Sequence, residues 1–139
     1  MTVEHLLVPI DYSEGSEHAL DYALGLAQQF QARLTLMHVI FSPVSAEVNL
    51  ASYFAEMEIM AQEEMESHVK KVEQAGVRVE SKIVHGTPYH EIVEAAKTQN
   101  VDLIVMGTHG RTGVSHLFIG SVAERVVRLA PCPVLVTRQ

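Results

Sequence analysis

Short apolar runs and stretches of helical spacing replace one another from one end of this chain to the other. HLLVPI (His5 to Ile10) is an apolar run of strand length. After DYSEGS, residues Ala19, Leu20, Ala23, Leu24 and Ala27 recur at helical spacing up to Phe30, with Ser13 or Ser16 as the N-cap. RLTLMHV (Arg33 to Val39) again has strand character, and FSPVSAEVN is the longest loop candidate. It leads into Leu50, Phe54, Met57, Ala61, Met65, His68 and Val72, the apolar stripe of a Glu-rich helix that Gly76 ends. VRVESKIV alternates as a strand, Pro88 stands at a helix start, and EIVEAAKTQ carries that helix to Asn100. VDLIVM, a glycine-rich segment, the helix SVAERVVRLA and the strand PVLVTR complete a βαβαβαβαβ order.

Strict alternation with apolar strands calls for a parallel sheet covered by helices on both faces, joined by right-handed crossovers. The 139 residues suit one domain, residues 1–139, and no repeat, linker or low-complexity tract divides them. In open sheets of this kind ligands bind beyond the carboxyl ends of the strands, where the strand order reverses. The turns PIDYSEGS, after the first strand, and MGTHGRTG, after the fourth, both lie on that edge.

Charge divides unevenly about Gly107. The whole chain carries −7, but residues 107–139 hold Arg111, Arg125, Arg128 and Arg138 against Glu124 alone. The overall acidity argues against general nucleic-acid binding, and no aromatic ladder for bases accompanies Tyr12 or Tyr53. The glycine-rich segment thus opens the one basic part of the chain, which suits either a bound anion or solvated arginines. Cys132 is the sole cysteine, so no intrachain disulfide forms, and its PCP setting fits a packed, inert thiol in a reducing cytoplasm. The amino terminus lacks the features of a signal peptide, and no run is long enough to span a bilayer. His85 and His90 have no metal-site spacing, so no dedicated metal site is expected, and the methionines of the second helix fall at core positions.

GTHGRTGVSHLFIGS, Gly107 to Ser121, contains no lysine and is therefore no P-loop. Its glycine spacing at 107, 110 and 113 also fails the dinucleotide fingerprint. A remaining solution binds phosphate through backbone N–H groups alone, those of a glycine loop and of a helix start. Gly120, Ser121 and Val122 stand where that helix begins, although Gly-Ser is equally a plain N-cap.

Gly107 and Gly110, followed after nine residues by Gly120 and Ser121, resemble the ATP-binding signature of the universal stress protein family. LLVPIDYSEGSEHAL resembles that family's opening, and DLIVMGTHGRTG with SVAERVVRLAPCPVLV its closing half. The resemblance implies an open, Rossmann-like five-stranded parallel sheet of order 3-2-1-4-5, which sets both turns in one cleft. By position it implies Asp11 against the ribose, Pro9 and Ile10 at the floor and Val39 at the adenine. Met106 and Gly107 would border the nucleoside, and Gly110, Arg111, Gly120, Ser121 and Val122 would surround the phosphates. Asp11 is also a strong helix-capping residue, and His109 and Arg111 are either phosphate contacts or solvent-exposed loop residues. The expected function is a cytoplasmic ATP-binding regulatory protein, with AMP or ADP as related ligands, Mg²⁺ accompanying the phosphates and an unidentified protein partner. The alternatives are a slow ATPase or phosphotransferase and a dimerisation module with a vestigial site. The resemblance also implies a homodimer paired through the last strand, Pro133 to Arg138.

Overall fold

The computed structural model describes residues 2–42, 51–108 and 119–138. The expected alternation is present as β1 (His5–Pro9), α1 (Glu14–Phe30), β2 (Arg33–Phe41), α2 (Ala51–Gln74), β3 (Val79–Gly86), α3 (Pro88–Thr98), β4 (Leu103–Gly107), α4 (Ser121–Leu129) and β5 (Val134–Thr137). All strand pairings are parallel and the order is β3-β2-β1-β4-β5.

Alternation along the strands divides the core in two. Leu6, Val8 and Ile10 of β1 and its extension share one cluster with Leu34, Leu36, Leu103 and Val105 and with Ala19, Leu20, Ala23 and Ala27 of α1. Met65 and Val72 of α2 close that face. Leu7, Met37, Ile104 and Met106 point the other way, against Ile92, Ala95 and Ala96 of α3 and Ala123 and Val126 of α4. The many alanines let the helices lie close to the sheet.

Local signals set the helix ends. Ser13 is the N-cap of α1, its side chain accepting from the Ser16 amide at 3.2 Å. Gly76 leaves α2 with a φ of +80°, a left-handed stop that glycine adopts without strain. Pro88 occupies the first turn of α3, where a missing amide costs nothing.

Several boundaries differ from those expected, most of all in three strands. β2 runs on to Phe41 and β3 occupies Val79–Gly86 rather than residues 77–84, because the two pair from Leu34↔Val79 to Phe41↔Gly86. β4 starts at Leu103 and not at Val101, since Asp102 turns its carboxylate onto the amides of Glu4 and His5 at 2.9 and 3.0 Å. The loop expected over FSPVSAEVN falls largely outside the described residues, as does Leu50.

Candidate functional site

β1 is the point of reversal: its neighbours are β2 on one side and β4 on the other. Successive residues of β1 serve the two neighbours in turn. The Ile10 amide donates to the Met37 carbonyl at 2.7 Å, so the even residues face β2, whereas the His5 carbonyl accepts from Asp102 at 2.9 Å, so the odd ones face β4. The next donor toward β4 beyond Leu7 would be the amide of residue 9, which is Pro9 and has none. Accordingly the β1–β4 ladder holds at Leu6↔Leu103 and Leu7↔Ile104, while β1 and β2 stay paired through Pro9↔Met37. A break in pairing at the carboxyl edge is what opens a crevice between strands at a switch point.

Asp11 lies just past this break, half-buried. One of its carboxylate oxygens accepts from the Ser13 amide at 3.0 Å and from the Ser13 hydroxyl. Asp11 is therefore not itself the cap of α1; it braces the residue that is. Ile10 is buried at 3 % exposure and turns its side chain to the α1–α2 cluster, while its carbonyl accepts from His38 Nδ1–H at 2.7 Å.

Across the crevice, Met106 ends a buried stretch of β4, and Gly107 follows with ordinary backbone geometry. A Cβ on Gly107 would lie 2.8 Å from the Gly15 carbonyl oxygen. Glycine is needed there so that the first turn of α1 can approach β4 backbone to backbone. That reason was invisible in the sequence, since Gly15 is remote along the chain. Val39, two residues before the end of β2, and Val122 both pack against the cluster that contains Met106, so three of the expected nucleoside and phosphate neighbours share one apolar wall.

Thr108 and Gly120 meet beyond β4. The Gly120 amide donates to the Thr108 carbonyl at 2.6 Å, and the Thr108 amide donates to Thr137 at 3.2 Å. This closes the base of the glycine-rich segment and commits the Gly120 donor to the chain itself. Gly120 is the N-cap of α4 and brings no side-chain cap; its carbonyl accepts the first helical bond, from Glu124 at 3.0 Å. The amides of Ser121, Val122 and Ala123 thus precede the first intrahelical donor, and such groups carry the positive end of the helix dipole. Ser121 is exposed and adds a hydroxyl at the same place. His109, Gly110 and Arg111 lie outside the described residues, as does Gly113.

Tyr12 is a feature that residue type did not announce. It follows Asp11 with a φ of 65°, and its hydroxyl donates to the Ala61 carbonyl at 2.8 Å. Cys132 packs beside the α3–α4 cluster, and burial, with Asp102 adding to it, pushes its thiol above the ordinary value. Among the described residues no group of three or more His, Cys, Asp or Glu is placed to hold a metal ion, and no helix is long and apolar enough to cross a membrane.

The arrangement offers an apolar wall, a carboxylate at the end of β1 and a helix start rich in N–H donors. Comparison with protein-family models matches residues 2–138 to the one described as the universal stress protein family. A universal stress protein of Methanocaldococcus jannaschii is 38% identical over 138 residues, covering 96% of this chain and 81% of that one. Among solved structures, the universal stress protein UspA from Lactobacillus plantarum superposes with a TM-score of 0.90 at 29% identity, covering 99% of each chain. The universal stress protein from Archaeoglobus fulgidus solved in complex with dAMP has a TM-score of 0.74 at 23% identity, covering 98% of each, a likeness of fold. Matched across nearly its whole length by the family model and by a relative above a third identical, the chain belongs to the universal stress protein family.

Proposed function

We propose that the protein is a cytoplasmic regulator that binds ATP, with AMP or ADP as related ligands, in the crevice between β1 and β4. The single observation that carries this reading is the start of α4, where the amides of Ser121 and Val122 stand ahead of the first helical bond and the N-cap, Gly120, brings no capping side chain. A phosphate supplies what a capping side chain would, and it does so without a lysine. In this reading Asp11 accepts from the ribose hydroxyls through the carboxylate that also braces Ser13. Pro9 and the backbone of Ile10 form the floor, and Val39, Met106 and Gly107 flank the nucleoside. Gly110, Arg111 and His109 complete the phosphate end, with Mg²⁺ carried in by the nucleotide and held by its phosphates. The dAMP complex of the Archaeoglobus protein supports the reading, because the same fold there holds an adenine nucleotide. Occupancy then modulates assembly or the binding of a partner protein, and two copies pair through the strand Pro133 to Arg138.

Two measurements test this. Protein purified without added nucleotide, then heat-denatured, should release ATP or AMP detectable by mass spectrometry. Gly120→Val should fold and lose ATP binding by calorimetry. Gly120 has a φ of −63° and a ψ of 160°, a conformation open to any residue, so the branched side chain acts on the space beside the donors rather than on the backbone. Wild-type affinity in the folded variant would remove the phosphate from this position.

A further inference from the structure

Three non-glycine residues among those described have positive φ: Tyr12, Gln31 and Asn100. Gln31 follows α1 and Asn100 lies just past the end of α3, where such geometry is ordinary. Tyr12 follows a strand instead, and a bulky side chain in the left-handed region persists only when its surroundings hold it there.

The surroundings are specific. The Tyr12 hydroxyl is bonded to Ala61 of α2 at 2.8 Å, and the ring lies 4.6 Å from that of His38 and 5.4 Å from that of His68. His38 is fixed in turn by donating from Nδ1 to the Ile10 carbonyl at 2.7 Å. The residues before and after Asp11 are therefore both tied down, one through β2 and one through α2.

His68 adds a condition. Its Nδ1 faces the Glu64 carbonyl at 2.7 Å, and its Nε2 faces the Glu17 carboxylate of α1. Both ring nitrogens are thereby engaged, one by α2 and one by α1, and the ring is held in place against Tyr12. The charged groups around it are Glu17 and Asp21 of α1 and Lys71 of α2, which meets Asp21 at 2.6 Å and Glu17 at 3.7 Å. Glu64 of α2 contributes its carbonyl, and toward the sheet stand Tyr12 and His38.

We propose that Tyr12 is a positioning residue for the nucleotide site, holding the turn that carries Asp11, and that it is kept in place by its bond to Ala61 and by the anchored ring of His68. The inference deepens the nucleotide-binding reading and rests on it for its consequence, but the positioning itself is measurable without nucleotide. The reporter is the Ser13 amide, which donates to Asp11 at 3.0 Å.

The experiment compares wild type with Tyr12→Phe, which keeps the ring and loses the Ala61 bond, and with His68→Gln. Tyr12→Phe should stay folded, with ATP affinity lowered about fivefold and Ser13 amide exchange accelerated by a similar factor. His68→Gln, which removes the ring beside Tyr12, should accelerate Ser13 exchange in the same direction. An unchanged Ser13 exchange in either variant, or an unchanged ATP affinity in Tyr12→Phe beside a nucleotide-binding wild type, would overturn the proposal. A wild type that binds no adenine nucleotide defeats the functional reading instead, and the exchange profiles alone then decide whether Tyr12 holds the turn.

Discussion

His5 stands at the opposite end of β1 from Pro9 and is 2 % exposed. Its Nδ1–H donates to the Gln99 carbonyl at 3.2 Å, which leaves Nε2 to accept from the Thr35 hydroxyl at 2.7 Å. The neutral ring is thereby satisfied at both nitrogens, and burial, followed by the Arg33 guanidinium, lowers its pKa from the ordinary 6.5 against the opposing pull of Gln99, Asp102 and Glu80. The sign of the linkage follows. As pH falls through 6.5 the unfolded chain takes up this proton before the folded one does, so stability is full above that value and is lost on acidification through the folded pKa. Thermal midpoints followed from about pH 7.5 down to about pH 5 should therefore fall more steeply for wild type than for His5→Gln. Parallel slopes would assign the acid sensitivity to other groups.

At the scale of elements, most of the fold was legible because its signals are local. The serine cap, Pro88 and Gly76 mark helix ends by what they do to nearby amides, and the helices lie close to where the apolar spacing put them. β3 was displaced because an edge strand with exposed Glu80, Ser81 and Lys82 carries little apolar pattern, and its limits are set by the ladder with β2. The candidate site divides the same way. Gly-Ser at the start of α4 announces itself, whereas the left-handed Tyr12 and the pressure of Gly15 on Gly107 arise from tertiary contacts that no spacing encodes. Pro9 lies between the two cases: its type was plain, but its effect needed the parity of β1. Pro9→Ala restores the missing donor toward β4, worth about 1 kcal/mol, while returning a comparable freedom to the unfolded chain. The thermal midpoint should move little, a newly protected amide should appear at position 9, and ATP affinity should fall severalfold as the crevice narrows. A protected amide with unchanged affinity would show that the ladder does not set the width of the site.

At the scale of the whole molecule, β5 is the strand whose edge invites a partner. It is an edge strand, joined on one side only, to β4. The Ile104 amide donates to the Pro133 carbonyl at 3.0 Å and the Thr108 amide to the Thr137 carbonyl at 3.2 Å, so residues 133, 135 and 137 face inward. Val134 and Val136 consequently present their amides and carbonyls outward. α4, which packs beside this strand, exposes Val127 and Leu129 at 49 % each. From Val134 to Thr137 no lysine or proline blunts this apolar edge, which invites a second strand, and the proposed occupant is the same strand of another copy, antiparallel about a two-fold axis. The parity makes the test sharp, because proline deletes one donor and the two neighbouring donors serve different partners. Leu135→Pro breaks the ladder to β4 and should lower the thermal midpoint markedly. Val136→Pro leaves that ladder whole and should shift dimer to monomer, seen by light scattering, with a smaller thermal loss. A monomeric wild type, or a Val136→Pro variant that remains dimeric, would exclude pairing through β5.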